Sequence, residues 1–181
     1  MSEVFKGART GEPLERRIAR LEDIEAIKNL KAQYALYCDN GYDADGVVSL
    51  FTEDATWESN AFGSYEGKQA IHDFLTGLAD ESIKWALHYV ISPVVEVAED
   101  GSSAHGRWYL LELGTLVGLD DPSTRDPVIM TANYEDDFVK TDGAWKFTRV
   151  NARFHQVSNL ADGWVKQPFR GSEGPAPGGS G

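Results

Sequence analysis

The sequence predicts an α+β fold: a conical barrel in which a curved, mainly antiparallel sheet wraps around N-terminal helices. Three observations carry this. Apolar residues in the first half recur at helical spacings of three and four. The second half turns to long runs rich in β-branched and aromatic residues, punctuated by turn signals. Helices first and strands afterwards is the order of a fold whose helices pack on one face of a sheet.

Residues 1–13, with Gly7, Gly11 and Pro13, read as a flexible arm. From Leu14 an apolar stripe runs through Ile18, Leu21, Ile24, Ile27, Leu30, Tyr34 and Tyr37, one face of a continuous helix. Asn40-Gly41 stops it, because both residue types tolerate the left-handed conformation. A short helix is expected around 45–51, with Val47, Val48, Leu50 and Phe51 turned inward. Thr52-Glu53-Asp54 reads as a turn into a strand at 55–59. Gly63 and Gly67 bracket a tight return, and a helix over 68–78 carries Ile71, Phe74, Leu75 and Leu78 on one side. Long strands are expected at 85–97, 104–117, 128–139 and 145–157. Pro93 marks a bend or an edge in the first of them. Glu99-Asp100-Gly101 and Thr141-Asp142-Gly143 are hairpin signals, and 118–127 is a polar loop. The low-complexity tail from residue 171 to 181 is expected to be disordered, so the folded domain is expected to span 14–170.

Composition narrows the function. A chain of 181 residues suits one domain, and 41% hydrophobic residues suffice for a core. The net charge of −12 repels nucleic acid and anionic membranes, which leaves a neutral or apolar small molecule as the expected partner. No apolar run approaches the roughly 18 residues of a membrane span, and the first residues lack the apolar stretch of a secretory signal. A cytoplasmic protein is expected. The single cysteine, Cys38, has no internal disulfide partner. No Cys/His set has metal-ligand spacing, and neither a phosphate-cradling glycine loop nor a G-x-S-x-G elbow is present. Chemistry without metal or cofactor, or no chemistry, is the expectation.

Four histidines are available, and His72 and His105 read as exposed. His88 lies within WALHYVIS, among apolar and aromatic neighbours. From composition alone it reads as a buried structural histidine, although burial also favours the neutral imidazole that a general base needs. Asp39 falls at a helix C-terminus, where the dipole disfavours an anion. Either solvent compensates, or a histidine does, in the base-and-orienter arrangement of catalytic triads. Tyr34 is either a core tyrosine or a hydrogen-bond donor aimed into a cavity. Arg107, in GRWYL, is either a surface arginine or a polar anchor. Arg149, Arg153 and His155 share one strand parity, so one of them could reach the cavity. Trp57, Phe62, Trp108, Tyr109 and Tyr134 supply aromatic surface for a flat substrate. Trp164 and Phe169 follow the last strand, to cover the cavity mouth, to form a subunit interface, or simply to pack.

Over roughly residues 14–165 the sequence resembles the SnoaL-like branch of the nuclear transport factor 2-like superfamily. The resemblance rests on RLEDIEAIKNLKAQYALYCD, LFTEDATWE, GSYEGKQAI, the histidine of ALHYV, GRWYL and the DGAWKF hairpin. The first of these stretches together with GRWYL is particularly similar to the bile-acid 7α-dehydratase members, and the scytalone dehydratases and hexachlorocyclohexane dehydrochlorinases are more distant by the same pattern. The resemblance implies an α+β cone, a homotrimer, and a lyase that eliminates without a cofactor. It implies a catalytic pair of Asp39 and His88, with Tyr34 at the position of the dehydratase tyrosine. The superfamily also holds sphingomonad lyases that take water and then formaldehyde from lignin-derived diarylpropane diols, and the aromatic supply here suits such a substrate. The rival readings are a non-catalytic small-molecule binding module, in which Asp39 and His88 would lie outside hydrogen-bond reach, and an isomerase or cyclase using the same base.

Overall fold

Six strands form one sheet in the order β2-β1-β6-β5-β4-β3 in the computed structural model, which describes residues 11–171. The elements are α1 (Leu14–Asp39), α2 (Ala44–Ser49), β1 (Phe51–Ser59), β2 (Gly63–Glu66), α3 (Lys68–Gly77), a π-helical turn at Leu78–Ser82, β3 (Ile83–Val97), β4 (Ser103–Val117), β5 (Arg125–Thr141), β6 (Ala144–Asn159) and α4 (Gly163–Lys166). Every neighbouring pair is antiparallel except β1 with β6. The curved sheet holds α1 against β3 and β6, so the architecture is the predicted α+β one. Most of the predicted arm and tail lies outside the described residues.

The period-two alternation of β4 sets the interior. Ala104, Gly106, Trp108, Leu110, Glu112, Gly114 and Leu116 face inward and are buried, while the residues between them face out. Gly106 is required here, because a Cβ would stand 2.2 Å from the Trp108 ring. The bend expected at Pro93 is present: the β3–β4 register shifts between Ile91 and Val94, and Ser92 sits at φ 54°. Asp142 and Gly143, at φ 52° and 80°, make the mirror-image turn that suits strand twist in a two-residue hairpin. The turn expected at Thr52-Glu53-Asp54 is instead strand. β1 begins at Phe51, and its register irregularity against β6 falls between Phe51 and Thr56.

The expected stripe on α1 also needs correction. Leu14, Ile18 and Leu21 are exposed, whereas the buried face carries Asp23, Ile27, Lys31, Tyr34, Ala35 and Cys38. Two charges therefore point inward, and both find partners far away in sequence. Asp23 accepts from Lys140 Nζ at 2.6 Å and Trp145 Nε1 at 2.9 Å. Lys31 Nζ lies 2.8 Å from Asp136 Oδ2, with neither side chain more than 1% exposed, and 3.2 Å from the Tyr134 ring centroid. Burial pushes the lysine ammonium down and the aspartate carboxyl up from their ordinary ranges.

Candidate active site

Three segments converge on His88. α1 ends at Asp39, with the Asn40 N–H closing on Leu36 and Gly41 at φ 72°. That leaves the Asp39 carboxylate at the C-terminal end of the helix, where the dipole repels it and a donor must compensate. β3 supplies two: His88 donates its backbone N–H at 2.9 Å, and its ring Nδ1 lies 2.7 Å away, both on Asp39 Oδ1. A carboxylate on Nδ1 places that proton on Nδ1 and leaves Nε2 as the working nitrogen. The imidazole is 4% exposed.

Nε2 turns into a pocket lined by Tyr34, Tyr42, Trp57, Phe62, Glu112, Tyr134 and Phe154 among others, with a cavity volume of about 20 Å³. That is room for about one water molecule, so a substrate enters only as the lining side chains move apart. Trp57 Nε1 donates to the Tyr34 hydroxyl at 2.9 Å, which turns the hydroxyl proton of Tyr34 toward other acceptors. Burial raises the phenols of Tyr34, Tyr42 and Tyr134 well above their usual range, so each stays a neutral donor. Phe74 covers the Trp57 ring at 4.6 Å and stacks on Tyr65 at 4.0 Å, which fixes that wall. Lysine and arginine do not line the pocket.

The sequence-predicted residues divide cleanly. Asp39, His88 and Tyr34 meet, and Trp57, Phe62 and Tyr134 line the same space. Trp108 faces inward but packs against Phe138 in the core, outside the pocket lining. Arg107 and Tyr109 have the opposite parity on β4 from Glu112, so they face the outside of the sheet and neither reaches His88. Arg107 and Tyr109 instead line a separate cleft with Trp108, Asn133 and Tyr134. Of the last-strand cations, Arg149 pairs with Glu58 and Asp137, and Arg153 and His155 are exposed. Phe154 takes the inward position, because the β5–β6 register skips His155 between Gln156 and Phe154. Cys38 is a core residue whose thiol burial pushes up. Trp164 is exposed on α4, and Phe169 bridges to Val157. Among the described residues no group of three or more His, Cys, Asp or Glu side chains is arranged to hold a metal ion.

Two members of the site escaped sequence reasoning. Glu112 lies directly opposite His88 across β3 and β4, and 2% of it is exposed. Its signal was a lone charge in LLELG with the inward parity of Trp108 and Leu110. Tyr42, at φ 55° just after the Asn40-Gly41 stop, donates to Glu112 Oε1 at 3.2 Å, and nothing in its local sequence foretold this.

A family model of the SnoaL-like domain matches residues 19–151. The gamma-hexachlorocyclohexane dehydrochlorinase of Sphingobium indicum is 23% identical over 146 residues, covering 78% of this chain and 90% of the relative. A crystal structure from Novosphingobium aromaticivorans, described as an aromatic ring hydroxylase, is 29% identical with a TM-score of 0.67, covering 78% of this chain and 96% of the other. Another from the same organism, described as a scytalone dehydratase, is 21% identical with a TM-score of 0.69, covering 87% and 99%.

Proposed function

The chain belongs to the SnoaL-like domain family, and from that premise we propose that it is a cofactor-independent lyase eliminating water from a hydrophobic aromatic or polycyclic alcohol. The observation that carries this reading is the contact of 2.7 Å between Asp39 and His88. A binding module has no use for a carboxylate that orients a histidine and frees its Nε2 toward a pocket. His88 Nε2 takes the proton from carbon, and Asp39 stabilises the imidazolium that forms. Tyr34 donates to the departing hydroxyl or the developing oxyanion. The dehydrochlorinase and dehydratase chemistry named for two of the relatives is of this elimination type.

The pocket supports a neutral, flat substrate. Its wall is aromatic, it lacks a lysine or arginine for an anion, and the chain's own charge repels one. A lignin-derived diarylpropane diol fits this description, with loss of water, or of water and then formaldehyde, as the outcome. Incubating chelator-treated protein with benzylic diols, steroids and hydroxynaphthalenes, followed by mass spectrometry, tests the reading. Products lighter by water or formaldehyde support it, and an isomer of unchanged mass would make the protein an isomerase instead. Tyr34→Phe is expected to lower kcat about tenfold, the worth of one hydrogen bond, measured on whichever alcohol turns over.

The assembly we propose is a homotrimer using the outer face of β3 and β4. Tyr89, Ile91, Tyr109 and Leu113 are 47%, 49%, 58% and 38% exposed there, and Ile91 pairs directly with Tyr109. Such a patch marks an interaction surface. Light scattering after size exclusion should report three chains for the natural protein and one for the Ile91→Arg, Tyr109→Arg double variant.

A further inference from the structure

Glu112 is the charged side chain that an Asp39–His88 pair leaves without a task. Its Oε2 faces His88 Nε2 at 3.4 Å, on the side of the ring opposite Asp39. The imidazole thus stands between two carboxyl groups. The titratable groups facing Glu112 are His88 from β3, Tyr42 from the loop after α1, Asp39 and Cys38 from the end of α1, and Tyr134 from β5.

One proton can be distributed in this trio in two ways. An imidazolium between two carboxylates buries three charges. A neutral imidazole beside a protonated Glu112 buries one, that of Asp39, for the same net charge. A low-dielectric interior favours fewer charges. Burial is the strongest influence on Glu112 and pushes its carboxyl above the ordinary range, against the opposing pulls of His88 and the Tyr42 hydroxyl.

We propose that Glu112 is the general acid of the elimination, giving its proton to the departing oxygen while His88 takes the proton from the neighbouring carbon. The assignment rests on the elimination reading above and divides its acid and base between two residues. The C–H and C–O bonds break, the C–H electron pair becomes the second bond of C=C, and the oxygen leaves as water. His88 is then an imidazolium held by Asp39, and Glu112 is a carboxylate. Across the 3.4 Å gap the proton passes back from Nε2 to Oε2, restoring the starting state without a solvent proton. Tyr34 is left to the developing oxyanion. Tyr42 is a positioning residue: its left-handed backbone, uncommon for tyrosine, brings its hydroxyl to Glu112. An acid and a base this close reach a C–H and a C–O bond on the same side of the substrate, so the elimination is syn.

Glu112→Gln separates these roles, because the amide oxygen still accepts from Tyr42 but the side chain carries no transferable acid proton. On ligand-free protein at neutral pH, infrared difference spectra between the natural chain and Glu112→Gln should show the C=O stretch of a protonated carboxyl. Its absence would overturn the proposal. With an aryl β-hydroxy ketone as probe, Glu112→Gln should lose about 100- to 1,000-fold in kcat. With the β-chloro counterpart, whose leaving group needs no proton, the loss should stay under about tenfold. Equal losses on both probes would overturn the acid role. Turnover of neither probe by the natural chain would count against the elimination reading, and the infrared result would still decide the protonation of Glu112. Tyr42→Phe removes a hydrogen bond that favours the ionised carboxylate, which raises the pKa of Glu112 further. An acid must be protonated to act, so activity is lost as pH rises through that pKa. The basic limb of kcat should therefore move to higher pH in Tyr42→Phe, and an unmoved limb would contradict the assignment.

Discussion

Replacing His88 with alanine is expected to lower kcat for elimination by about two to four powers of ten, the usual worth of a positioned proton acceptor. Nε2 of His88 is the one histidine nitrogen turned into the pocket. His72 stands on α3 beside Asp45 and Asp73, His105 pairs with Asp137, and His155 is exposed, so none of them substitutes for it. Asp39→Asn should lose as much by a different route. The asparagine oxygen can still accept the His88 backbone N–H, which keeps the end of α1 in place. Its amide group would then offer a donor to Nδ1, where the carboxylate accepts one. The ring proton would shift to Nε2, the wrong tautomer for a base. Steady-state kinetics beside circular dichroism checks this, since both variants should keep the native fold.

Lys31→Met is expected to destabilise the fold by about 3–5 kcal/mol, because it strands a buried carboxylate. Lys31 and Asp136 are 1% and 0% exposed; the rings of Tyr34, Trp108, Tyr134 and Phe147 surround the ammonium, and without Lys31 the carboxylate keeps only the backbone N–H of Asn151 and the charge of His105. The faces of those rings suit the cation and offer nothing to the anion. Asp136→Leu added to Lys31→Met should recover much of the loss, since an apolar pair of similar volume avoids the desolvation of both charges. Urea unfolding of the three variants measures this. A single variant within about 1 kcal/mol of the natural chain would mean that water reaches the pair.

Helical spacing and turn chemistry are local, and they located α1, α3 and the four long strands to within a few residues. The 3.6-residue period ended correctly at Asp39 because Asn40-Gly41 is a local stop. Local patterning failed where long-range pairing decides burial. Asp23 and Lys31 lie outside the apolar stripe, because hydropathy assigns charge to water, and their partners Lys140 and Asp136 lie more than a hundred residues further on. The exposure of Leu14, Ile18 and Leu21 follows from the same rotation of the helix. In the site, the family pattern pointed to Asp39, His88 and Tyr34, while their meeting depends on the packing of α1 on β3. Strand parity alone would have put Arg107 outside and Glu112 inside, one residue type expected to anchor a substrate and the other overlooked. Arg149, Arg153 and His155 could not be sorted in advance, because the bulge at His155 has no sequence signature.

The central claim is that Asp39 acts through His88 as one catalytic unit, and a double-mutant cycle on kcat tests it most directly. If the pair works as a unit, the Asp39→Asn, His88→Ala double variant should be no slower than His88→Ala alone, within a factor of a few. Losses that multiply, or single variants that turn over at near-native rates, would contradict it.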